Sequence, residues 1–218
     1  MNKAMNSLDR SLNRSLDQRQ VVHRDLWTKK GALRELYHDY HRQLLESCPQ
    51  GAILDIGGGT AHIKESNRDV ISIDILKFPG IDVVADAHRL PFKEGYLAGI
   101  VMLDVLHHLE RPIAFLQEAS RVLKPGGRLV MIEPAMTTVA RPFYDRFHEE
   151  PVDMLDDLFA MVAGDPDRDP FDANRVVPSL LLSTCQRVEQ AAPSLCVRSA
   201  DCLRLIANPI GCGSRTGR

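Results

Sequence analysis

The chain has 218 residues, 44% of them hydrophobic and 26% charged, with a formal net charge of −2. This size and balance suit one soluble domain, or one domain with a modest insertion. The absence of a basic excess argues against a dedicated nucleic-acid binder, which would need Lys and Arg to neutralise phosphates. The longest apolar run, Leu97 to Leu103, is far too short to span a bilayer. The charged N-terminus shows no signal-peptide core. The five cysteines are Cys48, Cys185, Cys196, Cys202 and Cys212. They form no C-x-x-C pair and are odd in number, so neither a metal site nor a disulfide framework is expected; a reducing cytoplasm fits this usage best.

In chain order, residues 7–19 repeat SLDR-like units that place Leu8, Leu12 and Leu16 on one helical stripe. From Trp27 to Glu46, Leu33, Leu36, Tyr37, Tyr40 and Leu44 recur at helical spacing and predict an amphipathic helix. Residues 1–48 are read as an N-terminal helical segment or lid, and residues 49–210 as the main domain. Strands are predicted at Ala52–Ile56, Asp69–Asp74, Ile81–Ala85, Ala98–Leu103 and Arg128–Ile132. A helix is predicted at Ile113–Leu123, stopped by Pro125, Gly126 and Gly127. Short apolar strands alternating with helices predict a buried parallel sheet. A helical insertion is expected over about 139–192, then two last strands at Leu195–Arg198 and Leu203–Ala207, then a disordered tail over 211–218.

The sharpest signal is the run Leu54-Asp55-Ile56-Gly57-Gly58-Gly59-Thr60-Ala61. A strand that ends in glycines lets backbone approach a ligand closely at the carboxyl edge of a sheet. Asp55 would repel a phosphate, and His62 leaves the G-x-G-x-x-G spacing incomplete, so a nicotinamide dinucleotide is disfavoured. An acid at that place suits a cationic group such as an amino group. Asp74 ends the second strand nineteen residues after Asp55, where a carboxylate can accept hydrogen bonds from ribose hydroxyls. Asp86, succeeded by Ala87, follows the third strand and can accept from an exocyclic adenine amine.

The stretches ILDIGGGTAHIKE, VISIDIL, VVADAHRLPF, IVMLDVLHHL and RVLKPGGRLVMIEP resemble the successive motifs of class I S-adenosylmethionine-dependent methyltransferases, in the type-11 or ubiquinone/menaquinone-biosynthesis-like group. The resemblance covers roughly residues 50–134. It implies an α/β, Rossmann-like three-layer sandwich: a mostly parallel sheet of five strands plus an antiparallel last strand, with S-adenosyl-L-methionine across the carboxyl edges. It further implies that Asp55, Gly57 and Gly59 lie by the methionine part, Asp74 by the ribose, Asp86 and Ala87 by the adenine, and Leu103 and Asp104 beside the methyl-bearing end, with Gly58 and Ile75 also among the cofactor-binding residues. Ala61 departs from the family, which usually has a third glycine there. Asp104 also departs, since small neutral residues are commoner.

The two histidines after the fourth strand, His107 and His108, form no expected metal site, because neighbouring side chains on a helix diverge; the resemblance implies that the second belongs to the family's L-x-H turn and is largely structural. Residues 146–153, RFHEEPVD, put His148 among Glu149, Glu150 and Asp153. They follow the fifth strand, whose end faces the sulfonium side, so His148 and Glu149 are the candidate catalytic pair. The implied activity is methyl transfer to a small molecule or a glycan- or lipid-type acceptor. The rival is a non-catalytic binding or partner module that keeps the fold. Neither the acceptor nor the oligomeric state is legible in the sequence.

Overall fold

The computed structural model describes residues 26–134, 158–159, 165, 168–169, 171–174 and 176–197. Its elements are α1 (Gly31–Glu46), β1 (Ile53–Ile56), α2 (Ile63–Ser66), β2 (Ile71–Asp74), β3 (Val83–Val84), β4 (Leu97–Leu103), a 3-10 turn (Leu106–His108), α3 (Pro112–Val122), β5 (Leu123–Ile132), α4 (Val177–Ser183) and α5 (Cys185–Ala191).

The strands form one sheet in the order β3-β2-β1-β4-β5, and every pairing is parallel. The reason is in the composition of β1 and β4. Leu54 and Ile56 of β1, and Leu97, Ile100, Val101 and Met102 of β4, are all buried. Strands apolar on both faces need cover on both faces, which parallel crossovers supply. On one face lie Phe115, Leu116, Ala119 and Val122 of α3, with Val177 and Leu181 of α4 and Val188 of α5 in the same core cluster. On the other, Leu44 of α1 packs with Ile63, Val70 and Val101. The approach of α1 is close: a Cβ on Gly99 of β4 would stand 2.6 Å from Cys48 Sγ. Phe115 is fully enclosed; burying such a side chain contributes about 1.5–3 kcal/mol.

Three expectations need correction. The sheet has no antiparallel strand among the described residues. Residues 195–197, expected to begin a strand, are irregular; the Val197 N–H donates to Glu189 Oε1 of α5 at 3.1 Å instead of to a strand partner. Arg198 and residues 203–207 lie outside the described residues, as do the leucine repeat of 7–19 and the tail. Finally, α3 ends at Val122, before the Pro-Gly-Gly, and β5 opens at once with Leu123. Leu123 pairs with Leu97 and Arg128 with Gly99, so residues 124–127 bulge out between two ladder contacts. Gly126, at φ +78, makes that bulge possible. Lys124 and Arg128 then reach back to the carbonyls of Gln50 and Ser47, tying the bulge to the end of α1.

Candidate cofactor site

The parallel order brings the carboxyl ends of β2, β1 and β4 side by side, and the expected site residues fall there. Asp55 is in β1, followed by Gly57, Gly58 and Gly59. Asp74 closes β2 and Ile75 follows it. Asp86 and Ala87 come after β3; Leu103 closes β4 and Asp104 follows it. The crevice at β1 and β4, where the strand order turns, is the usual ligand position in an open parallel sheet. His148 and Glu149 lie outside the described residues.

Asp55 is buried under the loop. The register pairs Asp55 directly with Ser72 of β2, and the Ser72 hydroxyl donates to Asp55 Oδ2 at 2.6 Å. Burial pushes the Asp55 carboxyl up to about 7, against the opposing pull of that hydrogen bond. This pair dictates the residue above it. A Cβ on Gly58 would stand 2.0 Å from Ser72 Oγ and 2.8 Å from Asp55 Oδ2. Gly57, at φ +69, is constrained from the other side, where a Cβ would meet Val105 Cγ2 at 2.4 Å. Gly59, at φ +50, is different: its nearest neighbour would be the Gly57 carbonyl at 3.9 Å. The loop is packed from below at Gly57 and Gly58 and open at Gly59.

Asp74 holds that open end. Its Oδ2 accepts the Gly59 N–H at 3.0 Å and its Oδ1 accepts the Leu76 N–H at 2.9 Å. Each oxygen keeps acceptor capacity for a further donor, as a diol ligand requires. Burial raises the Asp74 carboxyl, opposed by these N–H donors. Beside it Ile75 presents an exposed apolar side chain. After β3, Asp86 Oδ1 is engaged by His88 through both its backbone N–H, at 2.9 Å, and its ring Nδ1, at 2.7 Å. Burial would raise the Asp86 carboxyl, but the His88 hydrogen bonds and charges nearby hold it below the usual range. The other ring nitrogen, Nε2, faces the Arg111 N–H at 3.3 Å. One tautomer satisfies both contacts, with Nδ1–H donating and Nε2 accepting.

Among the described residues, two non-glycine positions take an unusual backbone. Ala61, at φ 56, and Asp104, at φ 55, are in the left-handed region without being glycine. At Ala61 this accounts for the glycine expected there, since glycine takes that region without steric cost; the Ala61 N–H donates to the Gly58 carbonyl at 2.6 Å. Asp104 is stabilised by its N–H, which donates to the Ile132 carbonyl at 2.9 Å.

Three features were not legible beforehand. Ser72 was one; its only signal is a polar residue inside an apolar strand. Glu133, just past β5, is a second. Its Oε1 accepts the N–H groups of Val105 and Leu106, and its Oε2 stands 2.7 Å from His107 Nδ1. The third is an aromatic cover from the N-terminal side. Trp27 stacks on His62 with centroids 3.7 Å apart and planes 8° apart. His62 Nδ1 lies 3.2 Å from Glu65 Oε1, and His38 Nε2 lies 3.6 Å from Glu65 Oε2. Tyr37 packs edge-on to Trp27. The pair His107–His108 holds no metal geometry; among the described residues no group of three metal-binding side chains occurs.

Residues 54–131 match the family model described as a methyltransferase domain. Demethylmenaquinone methyltransferase of Beutenbergia cavernae is 33% identical over 103 residues, covering 41% of this chain and 43% of that protein. A mouse protein named probable tRNA methyltransferase 9B is 33% identical over 116 residues, covering 47% of this chain and 26% of the relative. A solved S-adenosylmethionine-dependent methyltransferase from Thermotoga maritima aligns at TM-score 0.49 and 22% identity, covering 61% of this chain and 67% of that one. The chain spans from about a quarter to about half of the length of the curated relatives it matches. The glycine loop with its two aspartates, the β3-β2-β1-β4-β5 order and the matched segment agree: residues 54–131 are a class I S-adenosylmethionine-dependent methyltransferase domain.

Proposed function

We propose that the whole chain transfers a methyl group from S-adenosyl-L-methionine to a small molecule or a glycan- or lipid-type acceptor. The observation that supports it is the Gly59–Asp74 contact, which leaves the glycine loop open where a nucleoside ligand would cross the sheet edge. In this reading Asp74 and Ile75 hold the ribose, Asp86 and Ala87 border the adenine, and the loop over Asp55 receives the methionine part. Leu103 and Asp104 face the reacting end. The bound cofactor supplies a sulfonium methyl to a nucleophile, with a neutral thioether as leaving group. The chain's work is then to position that end and exclude water. A base is needed only for a poorly acidic hydroxyl, and His148, oriented by Glu149, is proposed for that role. His148→Ala should cut turnover about 10²–10⁴-fold with Tm and cofactor affinity kept, if it is a general base. Lost Tm with full turnover would assign it to the scaffold.

On acceptor class, the demethylmenaquinone methyltransferase supports a small lipid-like substrate and the tRNA methyltransferase a nucleic acid. The net charge of −2 favours the former. A cytoplasmic site is proposed from the unpaired Cys48, Cys185 and Cys196; no helix among the described residues is long and apolar enough to cross a membrane. Ala61, strained in the cofactor loop, favours a second reading, a binding module that keeps the cofactor and lacks turnover. Titration with S-adenosylhomocysteine, followed by transfer of labelled methyl to quinol, glycan and tRNA acceptors, separates the two.

A further inference from the structure

Five residues after β4, Asp104 to His108, form the loop that borders the expected methyl-bearing end. The sheet itself holds little of this loop: Asp104 donates to Ile132, and the ladder stops at Leu103 paired with Ile132. Three of its residues meet one side chain, that of Glu133 just past β5. Glu133 Oε1 accepts Val105 N–H at 2.9 Å and Leu106 N–H at 2.7 Å, and Oε2 meets His107 Nδ1 at 2.7 Å. The His107 and Glu133 side chains are 2% and 7% exposed, so water does not replace these contacts. Three consecutive residues therefore depend on one carboxylate for buried donors that are costly to leave unpaired. The far side of the loop is tied as well. The His107 carbonyl accepts Asn174 N–H at 2.8 Å, and the His108 carbonyl accepts Arg168 Nη1 at 2.7 Å. Val105, fixed by this clamp, is also the residue against which Gly57 packs. The clamp thus sets the distance between the β4 loop and the glycine loop, the two walls of the crevice.

We propose that Glu133 is a positioning residue for the methionine end of the cofactor, acting through the backbone of Val105 and Leu106 and through His107. This rests on the cofactor reading above. The clamp is remote from the β2 and β3 ends, where Asp74 and Asp86 lie, so the adenosine half should not feel it. Removing it should change recognition of the amino-acid half alone.

The test compares two probes, S-adenosylhomocysteine and adenosine, by calorimetric titration of wild type, Glu133→Ala, Glu133→Gln and Glu133→Asp, with amide exchange read at Val105 and Leu106. Gln keeps a carbonyl for the two N–H groups but presents an amide to His107, so it separates the backbone clamp from the histidine contact. Expected for Glu133→Ala is fast exchange at both amides and about tenfold or greater weakening toward S-adenosylhomocysteine, with adenosine affinity within about twofold of wild type. Gln should retain amide protection and fall between. If Ala does not fold, Asp, too short to reach both N–H groups, carries the same expectation. Equal weakening toward both probes, or unchanged affinity in every folded variant, would overturn the positioning role. Wild type that binds neither probe would instead remove the cofactor reading itself.

Discussion

The backbone N–H of Gly59 donates to Oδ2 of Asp74 across the gap between β1 and β2, at 3.0 Å. One carboxylate therefore holds the loop and, in the proposed function, also the ribose. Asp74→Ala should weaken S-adenosylhomocysteine about 10- to 100-fold, for a loss of about 1.5–3 kcal/mol of charge-assisted bonding. It should also lower Tm, because Gly59 and Leu76 lose their acceptor. Asp74→Asn keeps one oxygen acceptor and should lose affinity with a smaller loss of Tm. Calorimetric titration and thermal melts check both; an Ala variant with wild-type affinity would take Asp74 out of the site.

The loop glycines separate by packing: Gly57 and Gly58 are closely packed and Gly59 is open. Gly57→Val should unfold or strongly destabilise the domain through Val105, and Gly58→Ala through Ser72 and Asp55. Gly59→Ala meets only a left-handed φ, so it should fold with a cost of roughly 1–2 kcal/mol. Its methyl projects from the open part of the loop and should abolish cofactor binding. Binding at wild-type strength in a folded Gly59→Ala would show that the ligand does not cross the loop.

Ala61 has the opposite expectation. Its φ of 56 costs roughly 1–2 kcal/mol, while glycine loses about 0.4–1 kcal/mol through unfolded-chain entropy. Ala61→Gly should therefore be neutral or slightly more stable in denaturant unfolding, with cofactor affinity at least equal to wild type. A clear loss of stability would mean that the buried methyl outweighs the backbone strain.

Stability should also carry the mark of Asp55. Its folded pKa of about 7 lies above the unfolded carboxylate value. Between those values the folded form binds more protons, so this group makes the protein less stable as pH rises through that window and has no further effect above it. His41 acts oppositely: burial, reinforced by His38 and His62 and opposed by Glu65, lowers it to about 4. The fold loses that contribution as pH falls below the unfolded histidine value. Asp55→Asn isolates the first effect. Relative to this variant, wild type should gain stability from pH 8 to pH 5, by at most about 1.4 kcal/mol per pH unit. A constant difference across that range would contradict the burial of an ionisable Asp55.

Much of this was legible from residue patterns, and what was missed has a physical pattern of its own. The glycine loop, Asp74 and the helix α3 announce themselves through local chemistry: a turn that needs glycine, an acid at a strand end, a 3.6-residue apolar period. The Asp55–Ser72 pair and the Glu133 clamp depend on strand register and on neighbours 17 and 26 to 28 residues away. No local period encodes them. The start of β5 was missed for a related reason. Pro125, Gly126 and Gly127 signal a break, but the strand has already begun at Leu123, and the break is a bulge inside the pairing. The packing of Trp27 on His62 likewise joins distant segments.

The proposed function requires S-adenosylmethionine to be held at the carboxyl edge by the loop and Asp74. Titration of the purified full chain with S-adenosylhomocysteine, with NAD as the competitor, tests it most directly. One site per chain is predicted, with little affinity for NAD, and with binding lost in Gly59→Ala while the fold persists. Absence of S-adenosylhomocysteine binding by the folded wild type, or equal affinity for NAD, would contradict it.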